Sequence, residues 1–352
     1  MKTLMKILQQ KSTLPLFIRL IIKTGSINKN ENTGKKKRYI SYKALNTIIF
    51  LLLSNILFGQ NFNKYYNYIN KAELNIINNN FKNAILNYDS AFTFSVSPFA
   101  KDIHNAIICS EKLKLQDKLN DYSMLMLKNK SLKPSYYKKH NRKFYKAKKD
   151  EIKKKYIEKL NSYTYKLFED IYKKDQKIRT KKNYIYGRDK IHKTDSLSFV
   201  AFKDYIAKNK FPDESFFLDN PFQNNLHLFV THWHQAGFEI DSILLLAVKN
   251  LEFINIDYAD INEMEVSLHK NSKYGLVIML NYHNKTKPIK RTNNDILQIN
   301  KRRKEIGLCT YEEYIKKISF FKKDNDFYYQ TGYSVVTIAG KSGEIVFNKF
   351  TN

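Results

Sequence analysis

Behind residue 60 the apolar positions recur every three or four residues. Within 72–91 the series runs Ala72, Phe81, Ala84, Tyr88 and Ala91, and the last three stand at i, i+4 and i+7 on one side of a helix. A shift of 34 residues carries Ala72 onto Ala106, Phe81 onto Leu115, Tyr88 onto Tyr122 and Ala91 onto Leu125, while Ala84 falls on Lys118, the poor match. Farther along, Tyr156, Leu160, Tyr163, Leu167, Ile171 and Ile178 keep the same spacing, as do Leu197, Val200, Phe202, Tyr205 and Ile206. Near the C-terminus, Tyr333–Ile338 and Glu344–Phe350 flank Ala-Gly-Lys-Ser-Gly, which reads as a β-hairpin turn. A phosphate loop there would need glycine where Val335 stands. The pattern predicts a mostly α protein: helical hairpins over 61–150, a second helical domain over 151–320, and a small C-terminal β-hairpin over 321–352.

Residues 1–60 read as a leader. An uncharged apolar run, 44–58, follows Lys35, Lys36, Lys37, Arg38 and Lys43 and precedes Gly59-Gln60, the parts of a secretory signal. The run is shorter than the roughly 20 residues a spanning helix needs. The expectation is an exported protein, periplasmic, cell-surface or secreted, with an uncleaved inner-membrane signal anchor as the alternative.

Composition changes the picture less than its charge suggests. The formal charge is +29, yet Lys outnumbers Arg roughly seven to one, and nucleic-acid readers lean on the bidentate fork of Arg. Lys, Asn, Ile and Tyr are inflated together, as in proteins encoded by AT-rich genomes, so a nucleic-acid partner is not expected. Two cysteines, Cys109 and Cys309, exclude a disulfide framework and a Cys-rich zinc site. No cofactor is expected.

The 34-residue period, with small residues at Ala72 and Ala106 and at Ala84 and Ala91, resembles the tetratricopeptide repeat over roughly 62–131. In that family paired helices nest on small side chains and present a face to a peptide or to another domain, so the resemblance implies a protein or peptide partner. Two repeats are fewer than normally stabilise a solenoid, so later helices must complete the stack. Over about 165–318, Asp175-Gln176-x-x-Arg179, a His-rich segment, Tyr274-Gly275, and Arg302-Arg303-x-x-Ile306-Gly307-Leu308 followed by Glu313-Tyr314 together resemble an uncharacterised domain of exported Bacteroidetes proteins. That resemblance implies no known activity.

The candidate chemistry lies in the same region. Asp175, Gln176 and Arg179 are candidate catalytic residues, lining a pocket with Arg179 holding an anion; Asp175 and Arg179 also suit an ordinary i,i+4 ion pair. His227, His232 and His234 are candidate metal ligands, and His234 a candidate catalytic group. On a helix His227 and His234 share a side, whereas on a strand His232 and His234 would do so. Arg302 and Arg303 precede Gly307, which reads as a helix C-cap. Two functions follow: a helical-repeat protein mediating protein contacts, or an exported hydrolase, metal-dependent or not, using the histidines with Asp175 and Arg179. A third, polyanion binding, requires a lysine stripe along one face.

Overall fold

Two turns of nearly identical construction set the first half of the fold. Helix α1 (61–77) stops where Asn79 adopts φ 56°, and Asn80 N–H reaches back to Asn75 O at 2.8 Å. Helix α3 (Ala100–Lys112) stops where Lys114 adopts φ 55°, with Leu115 N–H donating to Ser110 O at 2.9 Å. Both are left-handed C-terminal turns that satisfy the last carbonyls and reverse the chain. Each leads into a second helix, α2 (Phe81–Phe92) and α4 (Gln116–Lys130). Ala72, Ala84, Ala91 and Ala106 are fully buried on helices. Lys118 leaves the interface by reaching Asp89 at 2.8 Å, beside Tyr122, whose hydroxyl donates to the same carboxylate at 2.7 Å.

The structure is a computed structural model that describes residues 61–180, 187–216, 225–265, 272–276, 279–282, 285–321, 326–329, 335–339 and 344–348. The leader, with its apolar run at 44–58, lies outside the described residues. Described helices continue with α5 (Pro134–His140), α6 (Arg142–Asn161), α7 (Tyr163–Ile178), α8 (Arg188–Lys208), a 3-10 turn at Glu214–Phe216, α9 (Asn225–Gln235), α10 (Asp241–Lys249), α11 (Asn255–Glu265), α12 (Asn293–Glu305) and α13 (Tyr311–Phe321). The chain is mostly helical, as its periodicity predicts. No described helix is long and apolar enough to cross a membrane.

Starts are capped from the sequence: Asn80, Asn141 and Ser162 accept from the backbone three residues on, and Thr292 forms a reciprocal box with Asp295. At the end of α12, Gly307 takes φ 71°, and Leu308 N–H donates to Arg303 O at 2.9 Å. Only glycine fits, because a Cβ there would stand 2.7 Å from the Tyr66 ring.

Four short strands complete the fold in the order β2-β1-β3-β4: β1 (Met279–Tyr282), β2 (Lys285–Pro288), β3 (Val335–Ala339) and β4 (Glu344–Asn348). The expectation of a separate C-terminal hairpin is corrected here. β3 pairs in parallel with β1 as well as antiparallel with β4, so the last strands extend a sheet begun some fifty residues earlier. The edge of β1 not taken by β2 is taken by β3, a pairing that periodicity alone does not reveal.

One aromatic-rich core runs from Phe62 to Tyr329, and Phe58–Asn352 form one compact unit. Segments expected as separate domains are joined by buried polar contacts. Tyr66 OH accepts from Asn255 N–H at 3.3 Å, and Asn70 Nδ2 donates to Glu313 at 3.0 Å. In the second half Trp233 is the centre, with ring centroids of Phe202 at 4.9 Å, Phe199 at 5.7 Å and Phe229 at 6.0 Å. Cys109 and Cys309 are both buried and free; burial pushes the Cys109 thiol up to about 12, so it stays protonated.

Candidate functional site

Three helices bring the predicted polar residues together. Asp175 and Arg179 lie at the end of α7, one turn apart, and Arg179 Nε donates to Asp175 Oδ1 at 2.8 Å. The same guanidinium reaches Asp195 of α8 with NH2 to Oδ1 at 2.5 Å. From α9, His232 Nδ1 stands 3.0 Å from Asp175 Oδ1, and Gln176 Nε2 donates to Asp175 Oδ2 at 2.8 Å. Asp175 and Asp195 are 3% and 4% exposed, so nearly all their solvation comes from these contacts. Trp233, next to His232, fixes α9 against α8 through Nε1–H to Ser198 Oγ at 2.8 Å.

The two carboxyls differ. Burial raises the proton affinity of Asp175, but the His232 and Arg179 contacts outweigh it and hold the carboxyl below its ordinary range. At Asp195 burial prevails over Arg179, and the carboxyl titrates above its ordinary range. An ionised Asp175 only accepts, so His232 donates through Nδ1. That is the orientation of a carboxylate–histidine dyad in hydrolases. Yet among the described residues no Ser, Thr or Cys side chain is hydrogen-bonded to His232, and Arg179 occupies an oxygen of each carboxylate. Ligand atoms of Asp175, Asp195 and His232 lie within 4.8 Å of one another, but the guanidinium already supplies the cation that would balance them.

The histidines separate. They lie on a helix, which removes the strand arrangement for His232 and His234. His232 joins Asp175, whereas His227, on another side of α9, gathers with Asp257 and Asp260 of α11 within 4.8 Å. Half-buried His234 belongs to neither group. Sequence reasoning did not pair Asp195, Asp257 or Asp260 with these residues; the only sequence signal was the apolar periodicity of their own helices.

The remaining motifs are structural. Arg303 is fully buried, with Nε donating to Cys309 O at 2.5 Å, NH1 to Tyr274 O at 2.8 Å, and its guanidinium 4.7 Å from the Tyr314 ring. Glu263 receives the backbone N–H groups of Tyr274 and Gly275. Tyr-Gly and Arg-Arg-x-x-Ile-Gly-Leu are thus two halves of one interior knot.

A second polar site lies on α3 and was not foreseen. Asn105 grips the backbone of Tyr328 from both sides: Nδ2 donates to Tyr328 O at 2.5 Å, and Tyr328 N–H donates to Oδ1 at 2.8 Å. His104 Nε2 lies 3.1 Å from Asp326 O, and Nδ1 lies 2.9 Å from Tyr136 OH. A carbonyl only accepts, so Nε2 carries the proton and Nδ1 accepts from the tyrosine. Phe327 stacks on Phe81 at 5.9 Å, and Asp326 meets Lys112 at 3.1 Å. Residues 326–329 thus run along α3 and the start of α2, held by main-chain bonds and the buried rings of Phe327 and Tyr329.

No family model matches this chain, and neither a curated protein nor a solved structure is similar to it.

Proposed function

We propose that this chain is an exported helical-repeat protein that makes protein–protein contacts, its tetratricopeptide-like hairpins at 62–131 holding extended polypeptide along α3 and the start of α2. The two-sided grip of Asn105 on the Tyr328 backbone carries this reading. Pairing to both the N–H and the C=O of one residue recognises an extended chain irrespective of its side chain, and Phe327 adds an apolar anchor. Support for the repeats comes from the buried alanines 34 residues apart and the matched turns at Asn79 and Lys114. Export rests on the basic, apolar and small-residue order of 35–60. The site is filled by the chain's own segment, so a partner must displace 326–329 or be joined to this protein through it.

The test is a labelled peptide of residues 324–331 added to full-length chain carrying Phe327→Ala and Tyr329→Ala, which loosens the internal segment. Binding is expected, and Asn105→Ala in that background should weaken it at least about tenfold, the loss of two buried main-chain bonds. Failure of the peptide to bind, or indifference to Asn105, overturns the reading.

The hydrolase reading rests on the Asp175–His232 contact. It is the weaker, because Arg179 bonds both carboxylates. We read the cluster as a lock between α7, α8 and α9.

A further inference from the structure

We propose that the outward side of α6 docks the protein onto an anionic phospholipid surface. Phe144, Ile152 and Lys159 anchor this helix to the body of the protein. Its other side carries Arg142, Lys143, Lys146, Lys149, Lys153 and Lys154, all exposed. Of these, Lys154 has a distant partner in Glu158 at 4.0 Å, while the other five form no ion pair among the described residues. Neighbouring α7 behaves differently: Lys173 meets Glu169 at 3.1 Å and Lys174 meets Asp170 at 2.7 Å, so its charge is cancelled locally. On α6 itself Glu151 takes Lys148 at 3.1 Å and Asp150 stands exposed among the cations, yet Arg142, Lys143, Lys146, Lys149 and Lys153 pair with neither, and codon bias does not explain an unpaired group of five.

Arg142 and Lys146 stand four apart, as do Lys149 and Lys153, the two pairs lying on either side of a break at Lys148, whose φ −119° and ψ 17° are not helical. Four residues beyond Lys153 stands Ile157, 55% exposed, and at the start of α7 stands Tyr163, 72% exposed. Unpaired cations together with an exposed aliphatic and an exposed aromatic side chain are the composition of an interfacial anchor: the charges lie over headgroup phosphates while the apolar tips enter the headgroup layer. A nucleic-acid backbone presents phosphates as well, but nothing for Ile157 to enter. Ammonium groups also lack the fork by which Arg reads bases. The observations therefore favour the lipid surface.

The test uses the full chain with vesicles of phosphatidylcholine alone or mixed with phosphatidylglycerol, measured by co-sedimentation. The leader is itself basic and apolar, so the decisive comparison is between variants. Arg142→Gln/Lys146→Gln/Lys149→Gln/Lys153→Gln should lower partition onto the phosphatidylglycerol vesicles by about tenfold or more, taking each cation near the surface as worth a few-fold. Ile157→Ser should lower it by a few-fold. Lys173→Gln/Lys174→Gln should leave it unchanged. The four altered side chains are exposed and unpaired, so circular dichroism and melting should match the parent; if they do not, Ile157→Ser and the salt dependence of the parent carry the test alone. Equal partition by parent and quadruple variant overturns the proposal. So does α6-dependent binding of a DNA duplex without any of the vesicles.

Discussion

A methyl group on Gly307 would stand 2.7 Å from the Tyr66 ring and would also sit on backbone at φ 71°. Gly237 has a similar φ of 80° but nothing within 4 Å of the same position. Gly237→Ala should therefore cost only the backbone penalty of about 1 kcal/mol, and Gly307→Ala about 2–4 kcal/mol, compared by denaturant unfolding. Equal costs would mean that the close approach of α12 to α1 does not exist. His104 makes a second prediction at this scale. Burial, with His140 and Lys139 nearby, pushes its imidazole down to about 3 from an ordinary 6.5. The folded protein thus binds fewer protons here than the unfolded chain. Stability contributed by neutral His104 is complete above about pH 6.5 and falls as pH drops from there toward about 3, by roughly 1.4 kcal/mol per unit. In His104→Gln that slope should be shallower by about one proton over the same window. Identical pH profiles would show that the imidazole is solvated.

Helices were legible because each carries its own evidence: apolar spacing, a capping Asn, Ser or Thr, and a stop. Ala72 and Ala106, read as contact positions from a fixed interval, are indeed buried between helices. The misfit Lys118 became intelligible only when Asp89 was seen beside it. Asp175 and Arg179 were legible as a pair for the same local reason, one turn apart on one helix. Asp195 was not, because its contact depends on how α8 crosses α7, and the choice of His232 over His234 depends on which side of α9 faces Trp233's neighbours. The main-chain grip of Asn105 left no trace either, since a backbone partner has no side-chain signature. These packing relations can be tested on the helices themselves. Ala106→Leu forces extra methylenes into a filled contact and should destabilise by about 1–3 kcal/mol or more, whereas Lys118→Ala, at a partly exposed ion pair, should stay within about 1 kcal/mol of the parent. Comparable losses would remove Ala106 from the helix–helix interface.

What joins the two ends of the molecule is a buried ionic chain. Lys317 of α13 donates to Glu73 of α1 at 2.6 Å and to Asn70 at 2.5 Å. Glu73 in turn meets Lys101 at 3.4 Å, Lys101 meets Asp102 at 2.7 Å, and Tyr65 OH closes the series on Asp102 at 2.6 Å. Burial opposes charge on Lys317 and Lys101, but Cys309 and Glu73 around the first, and Asp102 and Glu73 around the second, reverse that, so both hold their protons more tightly than free lysine. Such a chain is costly to assemble and more costly to break, because removing one member strands its partner in an apolar interior. Lys317→Met should therefore destabilise by about 3–5 kcal/mol. Glu73→Leu/Lys317→Met removes both members and leaves Lys101 with Asp102, so it should cost clearly less than the two single losses together, with a coupling of a few kcal/mol in a double-mutant cycle. The same experiment reads the organisation of the whole chain. If Phe58–Asn352 unfolds as one unit, Lys317→Met moves a single transition seen alike by tyrosine fluorescence, which samples both halves, and by Trp233, far along the chain from both α1 and α13. Two transitions, with only one of them shifted, would show that α1–α4 and the helices after them fold independently.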